Sequence, residues 1–254
     1  MAQTILLPHI KKEVSVAPIV ITGEWRKLIM ANYVVDPALL LPYLPPKTSL
    51  NVWNGNCYVT LAGFTFDHVK IRGIRVPFHQ EVTEINFRCY VKPEGAGQDR
   101  RGVVFIREIT GKPLLAWGAN IFYKEHYRVM PIERSWNIHD SKPQQRIRYT
   151  WRQDGYEYFM KVKAGNRPVR VVSGTEEHFL MMQPFGYTGR DTSTPWQYRV
   201  EHPVWDMYPV EKYKINVDFN ALFGRQFEFL NHAKPSSVYL AEGSDIAIRM
   251  RQRL

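Results

Sequence analysis

The segment HQEVTEINFRCYV at 79–91 holds the most reactive mixture of side chains in the sequence. On a strand alternate residues share a face, so Ile85, Phe87, Cys89 and Val91 lie together, and Glu84, Asn86, Arg88 and Tyr90 line the other side. One face suits a core. The other sets an acid, an amide, a guanidinium and a phenol in a row, where Arg88 is able to grip a carboxylate bidentately and Glu84 acts as a general base or orients Arg88. A solvated outer face laced with ion pairs is the competing reading of the same alternation.

Further candidates flank this row. Arg107 follows the apolar run VVFI, where an unpaired guanidinium is costly to bury, so it is expected to meet Glu84 or a ligand anion. His79 has a reference pKa near neutrality and suits a proton shuttle, or it is a turn histidine after Pro77. In VEHPVWD, His202 precedes a proline and favours a strand end, while Trp205 suits core or rim packing or a ligand platform. Lys124, in FYKEHY, is the candidate amine nucleophile. Its neighbour Glu125 favours the charged ammonium, so a surface position on an amphipathic helix competes with catalysis.

The elements that position these residues are mostly strands. CYVTLAGFTFD at 57–67 reads as one strand, and VVFIREI at 103–109, apolar on both faces at its start, as a central one. Asp154-Gly155 predicts a two-residue hairpin turn, with Gln153 facing Tyr156, Trp151 facing Tyr158, Tyr149 facing Met160 and Ile147 facing Val162. On the other face Arg152 opposes Glu157 and Thr150 opposes Phe159, but Arg148 opposes Lys161, a like-charged pair. A second hairpin is expected where SSVYLA and SDIAIRM flank Glu242-Gly243. LLAWGANIFYKEHY at 114–127 is read as a helix despite Gly118, and a capping box of Ser173 with Glu176 predicts another ahead of HFLMM. The pattern is a β-rich α+β domain with two or three helices.

Composition narrows the function classes. The 254 residues suit one continuous domain over 1–254 with an N-terminal arm at 1–24, and 44% hydrophobic with 23% charged residues excludes wholesale disorder. Two cysteines, Cys57 and Cys89, without Cys-x-x-Cys or His-rich spacing predict neither a disulfide framework nor a metal site. Neither a phosphate-binding Gly-rich loop nor GxGxxG after a strand occurs, so no cofactor is predicted. The N-terminus does not have the order of a secretory signal and no stretch has the length of a membrane span, so a cytoplasmic protein without a membrane partner is expected.

Taken in order, NYVVDPALLLPYLPP, YVTLAGFTF, the Gly73 to Pro77 stretch leading to His79, EINFRCYV, RGVVFIRE and the late EHPVWDM resemble the YqjF-like family of uncharacterised proteins, within the acetoacetate decarboxylase-like superfamily. The resemblance runs from about Trp25 to about Met250. It implies an antiparallel β cone or barrel with a central cavity and a few flanking helices, the polar face of 84–90 turned inward. It does not carry over the Schiff-base reaction of the decarboxylases, because the region comparable to their lysine pair holds Lys124 and Glu125. The expected ligand is a small organic acid or carbonyl compound, and any activity is lyase- or hydrolase-like.

The formal charge of +10 raises the alternative of a nucleic-acid-associated protein. The arginines and lysines are spread over many segments, with QQRIRYTWR and the terminal RMRQRL the densest, which disfavours that reading. A homo-oligomer built on exposed tryptophans among Trp25, Trp53, Trp136 and Trp196 is the remaining partner expectation.

Overall fold

A computed structural model describes residues 17–254 except 79, 140 and 191–192. The first half of the chain is strand after strand. These are β1 (Ile19–Val35), β2 (Thr48–Leu50), β3 (Cys57–Ile71), β4 (Ile74–Arg75), β5 (Glu81–Pro93) and β6 (Gly102–Thr110). Helix α1 (Pro113–Phe122) follows, then β7 (Tyr127–Val129), β8 (Ile132–Asn137), β9 (Gln144–Gln153), β10 (Tyr156–Gly165) and β11 (Val169–Arg170). The remainder comprises α2 (Glu176–Met181), β12 (Phe185–Thr188), β13 (Trp196–Glu201), β14 (Asp206–Tyr208), β15 (Val210–Asn216), α3 (Phe219–Phe223), β16 (Ser237–Arg249) and β17 (Gln252–Arg253).

Two sheets form. In the larger, β16, β1, β3, β5, β6, β12 and β13 are neighbours in that order, and β13 pairs back onto β16 through Val200–Ile248 and Glu201–Ala247, which brings the strands into a nearly closed ring. The smaller sheet, β15-β10-β9-β8, covers the ring from outside. Ile85, Phe87, Cys89 and Val91 pack in one apolar cluster with Ile147, Tyr149, Met160 and Val162 of this second sheet, so the apolar face of β5 looks outward from the ring. Phe87 alone meets the rings of Phe219, Phe223 and Phe227 at 4.5–5.7 Å. Gly63 sets the spacing of the layers, since a Cβ there would lie 2.8 Å from Met160 Sδ and 2.9 Å from Ile85 Cδ1. A separate apolar cluster with Met30, Tyr58, Phe64, Val82 and Tyr90 packs on the inner side of the ring, where Phe179, Leu180 and Met181 of α2 join it.

Several sequence expectations are met. The hairpin at Asp154-Gly155 has the predicted register along its whole length, with both turn residues at positive φ. The strands read at 57–67 and 103–109 fall within β3 and β6. Others need correction. Glu242-Gly243 is not a turn: β16 runs straight through it in continuous register with β1, and Gly243, at φ 86°, allows the close approach of the Trp25 carbonyl. The helix expected over 114–127 stops at Phe122, because Lys124 takes a left-handed φ of 58° and the chain leaves as β7. Its apolar stripe is not a core face, since Leu114, Trp117, Ile121 and Phe122 are exposed, Trp117 by 62%. Trp25, Trp53, Trp136 and Trp196, named as interface candidates, are all half-buried against intramolecular partners. The cap of α2 is Thr175 and not Ser173; Glu176 instead accepts hydrogen bonds from Tyr58, Ser237 and Tyr239. Residues 19–24, read as part of an arm, open β1. Among the described residues no helix is long and apolar enough to cross a membrane.

Candidate functional site

The polar row of β5 lies inside the ring. Glu84, Asn86, Arg88 and Tyr90 are all buried, flanked on β3 by Phe64, Ala62 and Thr60. A solvated outer face is therefore not what this alternation builds. Tyr90 and Thr60 share a hydroxyl hydrogen bond of 2.6 Å, and Thr60 donates to Asn32 at 2.7 Å. The row is thus fixed at one end by a neutral network.

At the other end the structure gathers three carboxyl groups. Asn86 donates to Glu84 Oε1 at 3.3 Å and the Tyr127 hydroxyl donates to Glu84 Oε2 at 2.7 Å. Glu108, opposite Asn86 on β6, and Glu125, in the turn after α1, are both buried and interact with each other and with Glu84. Tyr198 closes the cluster by donating to Glu125 Oε1 at 2.8 Å. Burial in a medium that solvates charge poorly is the main force on all three acids. It pushes Glu84 up to about 7 against the hydrogen bonds from Tyr127 and Asn86 and the attraction of Arg88. Burial, opposed by Tyr198 and reinforced by Glu84, takes Glu125 to about 8, and Glu108 is raised well above the usual carboxylate range by burial and by both neighbouring acids. The cluster therefore holds and exchanges protons near neutral pH, the condition for general acid–base work.

Arg88 stands four residues along the strand from Glu84, about 13 Å by backbone rise. It is only 7% exposed, its Nε has no hydrogen-bond partner, and among the described residues no carboxylate comes within ion-pair distance of it. Met30 Sδ lies 4.0 Å from Nη2, and the guanidinium lowers the pKa of Tyr90 from the high value that burial alone gives it. His202 is close enough that Arg88 helps burial to hold its pKa down, so the ring is neutral at neutral pH. Its Nδ1 contacts the Pro203 carbonyl at 2.8 Å, and it stacks on Trp205 with centroids 4.1 Å apart. Trp205 is buried and donates Nε1–H to Ser244 Oγ at 2.8 Å. A buried cation with an unfilled donor, within electrostatic reach of the His202 ring that stacks on Trp205, suits an anionic group.

Two further candidates lie elsewhere. Arg107 does not meet Glu84. The β5–β6 register shifts between Phe87 and Arg88, and this bulge turns both Ile106 and Arg107 away from the ring interior. Arg107 lies instead near Arg128, Arg190 and Tyr43, its pKa lowered by burial and by the two arginines. Lys124 is exposed, and the next residue, Glu125, enters the cluster in its place. Among the described residues the buried lysine is Lys27, whose ammonium pairs with Glu242 at 2.6 Å and lies over the ring of Tyr208. His79 lies outside the described residues. Among those residues no set of three His, Cys, Asp or Glu side chains is arranged to hold a metal ion.

Glu108, Glu125, Tyr127 and Tyr198 were not singled out by sequence. The bulge hides Glu108, since it breaks the alternation of VVFIREI. Glu125 and Tyr127 fall on one side of the chain, two residues apart, only once the helix is ended at Phe122.

The nearly closed ring of strands is the fold of solved structures that include acetoacetate decarboxylase-like enzymes. The enduracididine biosynthesis enzyme MppR complexed with pyruvate has a TM-score of 0.64 at 13% identity, over 95% of this chain and 93% of that one. Acetoacetate decarboxylase from Legionella pneumophila (subsp. pneumophila str. Philadelphia 1) has 0.61 at 12%, over 100% and 98%. An acetoacetate decarboxylase-like enzyme from Sphingomonas wittichii RW1 has 0.63 at 12%, over the whole of both chains. Residues 22–245 match the family of uncharacterized conserved proteins DUF2071 (COG2071), and the chain belongs to that family. The uncharacterized protein YqjF of Bacillus subtilis (strain 168) is a distant relative, 25% identical over 104 residues; the match spans 41% of this chain and 41% of that relative's length.

Proposed function

We propose that the protein binds a small organic acid bearing a carbonyl group inside the ring and transfers a proton on it. Arg88 holds the carboxylate, with Asn86 and Tyr90 beside it and His202 and Trp205 as the wall. Glu84 removes a proton from the carbon next to the carbonyl and the electron pair moves onto the carbonyl oxygen; as the carbonyl re-forms, a carbon–carbon double bond forms, the bond from the next carbon to its leaving group breaks, and that group takes the proton back from Glu84, a lyase-type elimination. Glu108 and Glu125 share the cluster's protons, and Tyr127 and Tyr198 orient the two outer acids.

The observation that carries this reading is the buried Arg88, with an unfilled donor and no carboxylate partner among the described residues, on the same strand face as an acid poised near 7. That a structural relative is described with pyruvate bound supports the ligand class. A Schiff-base route is not part of the proposal, because Lys124 is exposed and the Lys27 amine is engaged by Glu242.

The test is a thermal-shift series of pyruvate and longer oxo acids on the native chain and on Arg88→Gln. A ligand at about 100 times its dissociation constant stabilises by about 2.7 kcal/mol, a shift of roughly 5–10 °C for a chain of this size. The native protein is expected to shift and Arg88→Gln to lose most of the effect. Equal shifts in both would remove Arg88 from the site.

A further inference from the structure

The sequence spreads its basic residues, but the fold collects six of them on one surface. On the outer face of the four-stranded sheet Arg146 of β9 stands opposite Lys163 of β10, which stands opposite Lys212 of β15. Two residues along, Arg148, Lys161 and Lys214 form a second row of the same kind. Four cation pairs thus sit directly across neighbouring strands, about 4.8 Å apart, with the rows about 6.7 Å apart. Like charges placed opposite one another destabilise a sheet, so nothing about folding explains the pattern. Acidic groups offset only part of it: Glu157 pairs with Arg148 at 2.9 Å and is shared with Arg152, and Glu211 lies 3.3 Å from Lys163. Arg146, Lys161, Lys212 and Lys214 are exposed, with no carboxylate within ion-pair distance among the described residues.

The surface is a trough of about 360 Å³ running across the strands, which these six side chains line together with Ser135 and Asn137 of β8. Phe159 on this face is half-buried and surrounded by Arg148, Lys161 and Lys214 at 4.3–5.8 Å from its ring centre. Tyr213, 43% exposed, is the aromatic side chain that lines the trough, and beside six cations a single phenol leaves charge as the dominant feature of the surface. What the trough offers is a closely spaced set of cations for a flexible chain of anions. We propose that this face binds the phosphate backbone of a single-stranded nucleic acid, without reading its bases. The site is separate from the ring interior and does not depend on what binds there.

The test is fluorescence anisotropy of a labelled mixed-sequence single strand of about 12 nucleotides titrated with the full chain between about 50 and 200 mM salt. Four phosphate contacts predict a slope of log K against log salt near −3, at about −0.7 per contact. Lys212→Gln/Lys214→Gln, both exposed on an edge strand, is expected to weaken binding by about tenfold or more at low salt and to reduce the slope by about 1.4. Arg72→Gln/Arg75→Gln, which removes the same charge from the exposed end of the β3–β4 hairpin elsewhere, is expected to leave the slope unchanged. Phosphatidylserine vesicles and a duplex of the same length serve as competitors. No anisotropy change at 50 mM salt, an equal loss in both double variants, or tighter binding to vesicles or duplex than to the single strand would each overturn the proposal.

Discussion

Two regions of this protein crowd like charges together, and they resolve the crowding in opposite ways. Inside the ring, Glu84, Glu108 and Glu125 are buried within reach of one another, and the repulsion is relieved by taking up protons. On the outer sheet six cations face water in two rows, all of types that stay charged at neutral pH, and solvent and salt screen the repulsion. Burial thus converts one cluster into a group that titrates near neutrality, and exposure leaves the other a permanent field. The first is suited to chemistry on a small molecule, the second to holding a polyanion.

The sharpest way to separate the two regions is pH. The carboxyls of Glu84 and Glu125 are raised from 4.5 to about 7 and about 8, so between those limits the folded chain keeps protons that the unfolded chain has lost. Their contribution to stability is therefore full below about pH 4.5 and is lost as pH rises through 7 to 8. A raise of this size corresponds to on the order of 3 kcal/mol for a single group. Urea unfolding followed from pH 5 to 9 is expected to show that decline, and Glu125→Gln to flatten much of it. A native curve that rises across the window would contradict the assigned protonation states.

A smaller effect comes from the tyrosines. Tyr127→Phe and Tyr198→Phe remove donors to Glu84 and Glu125, and a hydrogen bond to a charged partner is worth about 1.5–3 kcal/mol. The cost should appear at pH 9, where the acids are ionised, and shrink at pH 5, where they are neutral. Denaturation of the two variants at both pH values checks this; a cost independent of pH would indicate lost packing instead.

The smallest effect belongs to the basic face. Lys161 stands between Arg148 and Lys214, so Lys161→Gln should raise the melting midpoint by about a degree or less at low salt. The gain should fade in added salt and be the same at pH 5 and pH 8. A loss of stability would mean that the contact of Lys161 with the Phe159 ring outweighs the repulsion.

How far these regions can be read from sequence follows from their geometry. The hairpin was legible residue by residue, because a two-residue turn fixes register and alternation does the rest; even the Arg148–Lys161 conflict was visible. Its third row member, Lys214, lies more than fifty residues on, and only sheet pairing brings it there. The row from Glu84 to Tyr90 was legible in the residues as two faces, and only the family resemblance turned the polar one inward, since both faces are buried once a second sheet covers the ring. Arg107 was misplaced because one bulge shifts alternation, the same bulge that concealed Glu108. The ends of α1 and the passage of β16 through Glu242-Gly243 were missed for a related reason. Left-handed residues such as Lys124 and Gly243 terminate one element and are carried within another, depending on what pairs beside them.

The central claim is that a carboxylic acid stays protonated inside the ring at neutral pH. Infrared difference spectra of the native chain and of Glu125→Gln, recorded while pH is stepped from 5 to 9, test it most directly. The account predicts a protonated carboxyl band that persists past pH 6, loses the contributions of Glu84 and Glu125 through pH 7 to 8 and is diminished in the variant. A native spectrum in which every carboxyl group is ionised by pH 6 would contradict it.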